Sequence, residues 1–425
     1  MMAFLNQAGW TGTENAENAN LIIINSCGFI ESAKRESINA VLLWRKLYPE
    51  KKILLAGCLA QRYAKELGES LPEADGFFGT GDISGIVPAV RGIMTNRSAP
   101  GSGKHKPDSA EILPGKRPLL SPPGSAYIKI SEGCNNHCSF CAIPLIRGEL
   151  KSRPVQSIIN ECEILLSRGI KELNLIGQDT GSYGSDLNAS PGLTELLEAI
   201  SRLTGDFWVR LLYIHPDHFP LSVLDVMKND KRFVPYFDIP FQHGSEKILR
   251  LMNRRGNAGT YLGLTETIRR KVPDAVIRST FMTGFPGETE EDFQLLLDFQ
   301  KKASLDWLGC FAFSREENTP AWNMKGRIAK RISAERKRII EDAQIPITEK
   351  RMDRFIGRTF DVIVEEKFEA PDPGEPDFYL GRLPCQAPEV DGAAVISGSG
   401  QLESGAIIPC RVTARRGLDL EVMPI

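Results

Sequence analysis

Short apolar runs bounded by turn residues alternate with segments of helical period along most of the chain. Near the start, "LIIINSCG" and "KILLAGC" read as buried strands, and between them Ile38, Val41 and Leu42 recur with the spacing of one helix face. This layout predicts an open α/β domain over residues 1–98. Residues 99–124 are rich in Pro, Gly and Ser with no apolar period, and read as a linker. From 125 to 355 the alternation resumes, with expected strands at Tyr127–Ser131, Glu172–Ile176, Trp208–Leu212, Pro235–Ile239, Val276–Met282 and Trp307–Phe313. Val155, Ile158, Ile159, Cys162, Leu165 and Leu166 share one face of a helix that Gly169 closes, which makes Cys162 a core residue. Repeated βα units imply a parallel sheet, and six of them a partial (β/α)6 barrel that would bind ligands at the carboxyl ends of its strands. After a charged helix around Arg331–Arg351, residues 356–425 break into "FDVIVEE", "YLGRL", "AAVIS" and "AIIPCRVTA", split by Gly, Pro and Asp. That pattern predicts a small antiparallel β-barrel of the oligonucleotide-binding kind. The fold class is therefore α/β multidomain.

Composition narrows the function classes. With 425 residues, 42% apolar and 25% charged, the chain has the make-up of a globular protein of several domains. A net charge of −2 gives no bulk attraction to nucleic acid or an anionic membrane. No apolar run reaches the ~18 to 20 residues a membrane span needs, and "MMAFLNQAGW" lacks the plan of a signal peptide. A cytoplasmic location is expected. Nine cysteines without the spacing of a disulfide scaffold point to a metal site where they cluster.

They cluster in "SEGCNNHCSFCAIP", where Cys134, Cys138 and Cys141 fall within eight residues. Three thiolates in a loop after the first barrel strand can hold three irons of a four-iron cube and leave one iron open for a cofactor. The alternative is zinc, with His137 completing a Cys3His set. A compact loop at the head of a βα repeat favours the iron–sulfur reading over the separated ligand pairs usual for zinc.

On these residues the sequence resembles the radical S-adenosylmethionine superfamily. The resemblance implies that the open iron is chelated by the amino and carboxylate groups of S-adenosylmethionine, and that Phe140, before the third cysteine, lies near the adenine. A narrower likeness covers nearly the whole chain. "NSCGFIESAKRESI", "AGCLAQRY", "YIKISEGCNNHCSFCAIPLIRGELKSR", "DIPFQHGSEKILRLMNRR" and "FMTGFPGETEEDF" are similar to the methylthiotransferase family, which has an amino-terminal cluster domain, a radical domain and a terminal TRAM barrel. Within it, "GFIESAK", "AIPLIRGELKSR" and "QAPEVDGAAV" look most like the branch that modifies an aspartate of small-subunit ribosomal protein twelve. The alternative is the sister branch, which modifies an adenosine in transfer RNA.

Alone, Cys27 and Cys58 read as small apolar residues at strand ends. Together they lie at the carboxyl ends of adjacent strands, the edge where open α/β sheets bind ligands. The resemblance implies that they hold a second, auxiliary [4Fe-4S] cluster with a third, upstream cysteine. The sequence starts after that position, so the ligand set is incomplete in it and a first strand is expected to be missing, with "MMAFLNQAGW" as the helix that follows. The family chemistry implied is twofold: sulfur carried by the auxiliary cluster is methylated by one S-adenosylmethionine, and reductive cleavage of another gives a 5′-deoxyadenosyl radical that removes hydrogen from the aspartate β-carbon. No side chain is assigned acid–base work. An electron donor such as flavodoxin or ferredoxin is implied, and a membrane is not.

Further candidates stand at strand ends. Gln178, Asp179, Arg210, His215, Gln242 and His243 are each as well explained as hydrogen-bonded termini as by ligand binding. In "TGFPGETEED", Gly284 and Glu288 are placed near the nucleotide by family position, while the same residues suit a turn and helix cap. The cofactor-binding candidates are therefore Phe140, Gly284 and Glu288, implied by the resemblance, and Gln178 and Arg210, taken from their strand-end positions. Basic runs such as "RRGN" and "AKRISAERKR" read as solvated faces. Charge bears on the partner independently. Residues 356–425 hold five Asp and seven Glu against one Lys and five Arg, a net charge of −6. Such a barrel suits a basic protein better than the phosphates of transfer RNA.

Overall fold

A computed structural model describes residues 1–95, 117–188, 191–369, 378–397 and 401–425, which form two compact units. The first comprises Met1–Pro118, Gly133–Glu149 and Ser314–Asn323, and the second Leu119–Glu132, Leu150–Phe313 and Met324–Ile425. The cysteine loop thus groups with the amino-terminal residues, and the terminal barrel with the six-stranded parallel sheet. Of the expected linker, residues 99–116 lie outside the described residues.

In the first unit β1 (Leu21–Ser26), β2 (Lys52–Gly57) and β3 (Gly76–Phe78) pair in parallel in that order. Ile53, Leu54, Leu55 and Ala56 of the central strand have no exposed surface, because alternate side chains enter two apolar layers. Ile53 and Leu55 pack with Val41 of the helix Glu31–Leu47 and with Leu59 and Leu67 of Cys58–Ser70. Leu54 packs with Ile86, Val90 and Ile93 of Ile86–Met94 and with Leu5 of Met2–Gln7. Leu42 departs from expectation and is 41% exposed. The packed face runs through Ile38, Val41 and Trp44, at steps of three, and turns Leu42 toward solvent.

The second unit holds β4 (Ser125–Lys129), β5 (Ser131–Glu132), β6 (Lys151–Ser152), β7 (Glu172–Ile176), β8 (Trp208–Leu211), β9 (Phe233–Asp238), β10 (Val276–Thr283) and β11 (Trp307–Ala312). Six of these form a parallel sheet in the order β11-β10-β9-β8-β7-β4. Strand alternation sends Leu173, Leu175, Val209, Leu211, Ile277 and Phe281 into the layer that also holds Ile158, Cys162 and Leu165 of the helix Val155–Ser167. The opposite, inner face carries Trp208, Tyr236, Val276 and Trp307.

That inner face is covered by the terminal barrel. Strands β12 (Thr359–Phe368), β13 (Phe378–Arg382), β14 (Ala394–Ser397), β15 (Ile407–Arg416) and β16 (Asp419–Pro424) close in the order β12-β13-β14-β16-β15. Their Val362, Val364, Tyr379, Ile396 and Val422 share one apolar core with Trp208, Tyr236 and Trp307, and Trp307 Nε1 donates to the Cys385 carbonyl at 2.8 Å. The barrel is not wholly antiparallel as expected. The hairpin after β15 turns β16 back so that it closes the barrel beside β14 in the same direction.

Candidate metal centre and strand-end site

The Cys134–Cys141 loop is pinched at its neck. β5 and β6 pair antiparallel on either side of it, and Cys134 N–H donates to the Gly148 carbonyl at 3.2 Å. Gly133 has φ +72°, and a Cβ there would lie 2.1 Å from the Glu149 carbonyl oxygen, so only glycine fits the closure. Inside the loop Cys141 N–H donates to the Cys138 carbonyl at 3.0 Å, and Asn136 N–H donates to Cys134 Sγ at 3.4 Å. Phe140 is half-buried between its cysteine neighbours and His137 is exposed. Among the described residues no three His, Cys, Asp or Glu side chains gather as a cage for a single metal ion. A four-iron cube asks for something wider than such a cage, namely soft thiolates spread over its corners.

The amino-terminal pair is placed by register. Ser26 lies opposite Gly57, so Cys27 and Cys58 leave β1 and β2 side by side at the same edge. Gly57 has φ +107°, and a Cβ on Gly28 would lie 2.6 Å from the Cys58 carbonyl oxygen, which shows how closely the two turns pass. Cys27 N–H donates to Ser37 Oγ at 3.2 Å. Cys58 Sγ accepts from Arg147 Nη2 at 3.2 Å, and Arg147 ends the short helix Ile143–Arg147 that follows the cysteine loop. Exposure divides the nine cysteines. Cys27, Cys58, Cys134, Cys138 and Cys141 are open to solvent in whole or part, whereas Cys162, Cys310, Cys385 and Cys410 are buried; burial raises the Cys162 thiol to about 12.

At the strand ends of the second unit, Asp179 is a hub. It accepts from Gly181 N–H (3.0 Å), Ser182 Oγ (2.6 Å), His215 N–H (3.1 Å) and His218 Nδ1 (3.0 Å). Burial would raise its carboxyl, but the bonds from His218 and Ser182 outweigh it and hold the group well below the usual range. His215 is driven down to about 3, first by burial and then by Arg254. Ser182 and His218 escaped the sequence reading. The "HPDH" spacing was the available signal, since it returns a second imidazole to the same turn. Gln178 and Gln242 each leave a buried side-chain carbonyl without a hydrogen-bond partner. Gln242 also holds φ +69°, pinned between the Thr280 carbonyl and Met282 N–H. Such strain in a non-glycine residue, costing about 1–3 kcal/mol, clusters at functional positions.

Gly284 and Glu288 make a closed turn. Gly284 N–H donates to Glu288 Oε2 at 2.8 Å, and Arg336 Nη1 donates to Oε1 at 2.6 Å. His243 accepts from Ser245 N–H through Nδ1, and its Nε2 faces the same carboxylate at 3.5 Å. Glu288 thereby shapes the turn with both oxygens engaged. Arg210, expected at a strand end, lies instead within the core of the second unit. It has no exposed surface: its Nε binds Glu172 at 3.0 Å, its Nη1 the Pro384 carbonyl at 3.0 Å, and its plane lies over Tyr236. The terminal barrel covers it. Toward the carboxyl ends the inner face opens again, with Met282 partly exposed and Phe311 52% exposed.

Comparison with known proteins defines the class first. Residues 128–299 match the radical SAM superfamily, residues 356–425 the TRAM domain, and residues 1–79 the uncharacterized protein family UPF0004. The fold is similar to that of the radical S-adenosylmethionine methyltransferase TsrM from Kitasatospora setae, at TM-score 0.52 and 16% identity over 72% of this chain and 64%, less than two thirds, of that one. Curated relatives resolve the class further. The ribosomal protein uS12 methylthiotransferase RimO of Treponema denticola is 44% identical over 100% of this chain and 97% of its own length. That of Syntrophomonas wolfei is 39% identical over 99% and 94%. The chain belongs to the RimO family of methylthiotransferases.

Proposed function

We propose that the chain replaces a hydrogen on the β-carbon of an aspartate of ribosomal protein uS12 by a methylthio group. The observation that carries this reading is the gathering of all five solvent-accessible cysteines into one compact unit, supported by full-length similarity to enzymes named for uS12. Residues 1–98 serve as the cluster domain, 125–355 as the radical domain and 356–425 as the TRAM domain. Cys134, Cys138 and Cys141 would hold a [4Fe-4S] cluster, and Cys27 and Cys58 would give two thiolates to an auxiliary one. The fit is chemical: soft sulfur donors suit iron–sulfur clusters, and hydrogen bonds to sulfur of the kind made by Asn136 and Arg147 tune them. When bound, the loop cluster with S-adenosylmethionine supplies the one-electron chemistry that removes hydrogen from an unactivated carbon.

The chain's own residues bind and orient. Phe140 flanks the adenine, and the Gln178 and Gln242 carbonyls accept hydrogen bonds from the nucleotide or the substrate. The Gly284–Glu288 turn presents a rigid backbone to the nucleotide, and the packed inner face limits water. Electrons come from a flavodoxin- or ferredoxin-like donor. No helix among the described residues is long and apolar enough to cross a membrane, and a cytoplasmic site of action is part of the proposal. The relatives' names and the acidic terminal segment both favour uS12 over transfer RNA. Anaerobic reconstitution tests the cluster half. Cys138→Ala is expected to abolish 5′-deoxyadenosine formation, and retained formation would overturn the assignment.

A further inference from the structure

The segment Ser314–Asn323 carries a carboxylate that the chemistry above does not use. Glu316 is 2% exposed. Its Oε2 accepts from Lys34 Nζ at 2.8 Å and Arg62 Nη1 at 2.7 Å, and its Oε1 accepts from Ser314 Oγ at 2.8 Å. Taking these charges out of water is costly unless every oxygen is engaged, as here. Arg62 extends the grip, donating to the Gly28 carbonyl at 2.8 Å and the Glu317 carbonyl at 2.8 Å. Glu31 N–H donates to Ser314 Oγ at 3.1 Å. Gly28 follows Cys27 and passes against Cys58, so Glu316, through Arg62, braces the Gly28 turn where the two cysteine-bearing turns meet. The same segment grips the other cysteine site: Ala321 N–H donates to the Ser139 carbonyl at 2.9 Å, between Cys138 and Cys141.

We propose that Glu316 is a positioning residue which, through Arg62 and Lys34, fixes the separation between the Cys27 and Cys58 edge and the Cys134–Cys141 loop. The inference rests on the two-cluster reading. Cleavage of S-adenosylmethionine does not involve the Cys27 and Cys58 edge, whereas sulfur transfer needs both cysteine sites in register, and a misplacement of about 1 Å can cost about 100-fold in rate.

The test uses Glu316→Gln and Lys34→Met in the reconstituted full chain. Wild-type iron and sulfide content is expected, with 5′-deoxyadenosine formation within about twofold. Methylthio product per 5′-deoxyadenosine should fall at least about 10-fold, and the magnetic interaction between the two reduced clusters should change in the electron paramagnetic resonance spectrum. An unchanged interaction and product ratio in the folded variants would overturn the proposal. If Glu316→Gln does not fold, Lys34→Met is judged by the same criteria. Wild-type protein that binds iron for one cluster only would contradict the two-cluster reading instead. Hydrogen exchange on cluster-free protein then still decides about the brace: faster exchange at both 28–31 and 134–142 in the variants supports it, and wild-type rates at either segment overturn it.

Discussion

Glu172 has no exposed surface, yet it accepts from Arg210 at 3.0 Å, Arg382 Nη2 at 2.6 Å and Ser125 Oγ at 2.9 Å. Burial alone would raise its carboxyl, but Arg382 and then Arg210 hold it down at about 2. Glu172→Gln leaves two guanidinium groups short of a partner and should cost about 3–5 kcal/mol, read from urea unfolding midpoints at neutral pH. Because the folded group titrates below its unfolded counterpart, this stabilisation is present above the ordinary carboxyl range, about pH 4.5, and is lost as pH falls through about 2. Midpoints of the two proteins should converge over that window, and a constant difference would assign the effect to packing. Arg210 shows why its role was hidden in the sequence. A strand pattern reveals that it alternates with Val209 and Leu211, but not that the terminal barrel covers the face it enters.

Among elements, the cysteine loop depends on its glycine neck. Gly133→Ala combines a left-handed backbone with a Cβ 2.1 Å from the Glu149 carbonyl oxygen, and should cut iron retained by the loop severalfold while the far-ultraviolet dichroism of the sheets persists. Normal iron content would show that the neck tolerates reshaping. β7 was legible to the residue, because in "ELNLI" Leu173 and Leu175 alternate with Glu172 and Asn174 between Gly169 and Gly177, and the strand is paired on both sides. β3, with three residues, is too short to show a period, and β16 was missed although Leu420 and Val422 alternate with Asp419 and Glu421. The Asp179, Ser182 and His218 cluster was invisible for a different reason. Its members come from turns after β7 and β8, 36 residues apart, and only strand adjacency brings them together.

For the molecule as a whole, charge bears on the choice of partner. Asp361, Glu366 and Glu369 are exposed on the terminal barrel, whereas Glu365 is mostly buried against Arg382; Asp372 lies outside the described residues. Reversing Asp361, Glu366 and Glu369 to Lys should weaken capture of basic uS12 at low salt, with the deficit shrinking as salt shortens the screening length below about 8–10 Å. A deficit that persists at high salt would point to lost packing. The central claim is tested most directly by giving the reconstituted chain S-adenosylmethionine, a reductant, uS12 and transfer RNA together, and reading both macromolecules by mass spectrometry. The expected result is 5′-deoxyadenosine with one methylthio group on a uS12 aspartate and unmodified transfer RNA. Methylthiolated adenosine with untouched uS12 would contradict the substrate, and intact S-adenosylmethionine in a fully iron-loaded protein would contradict the chemistry itself.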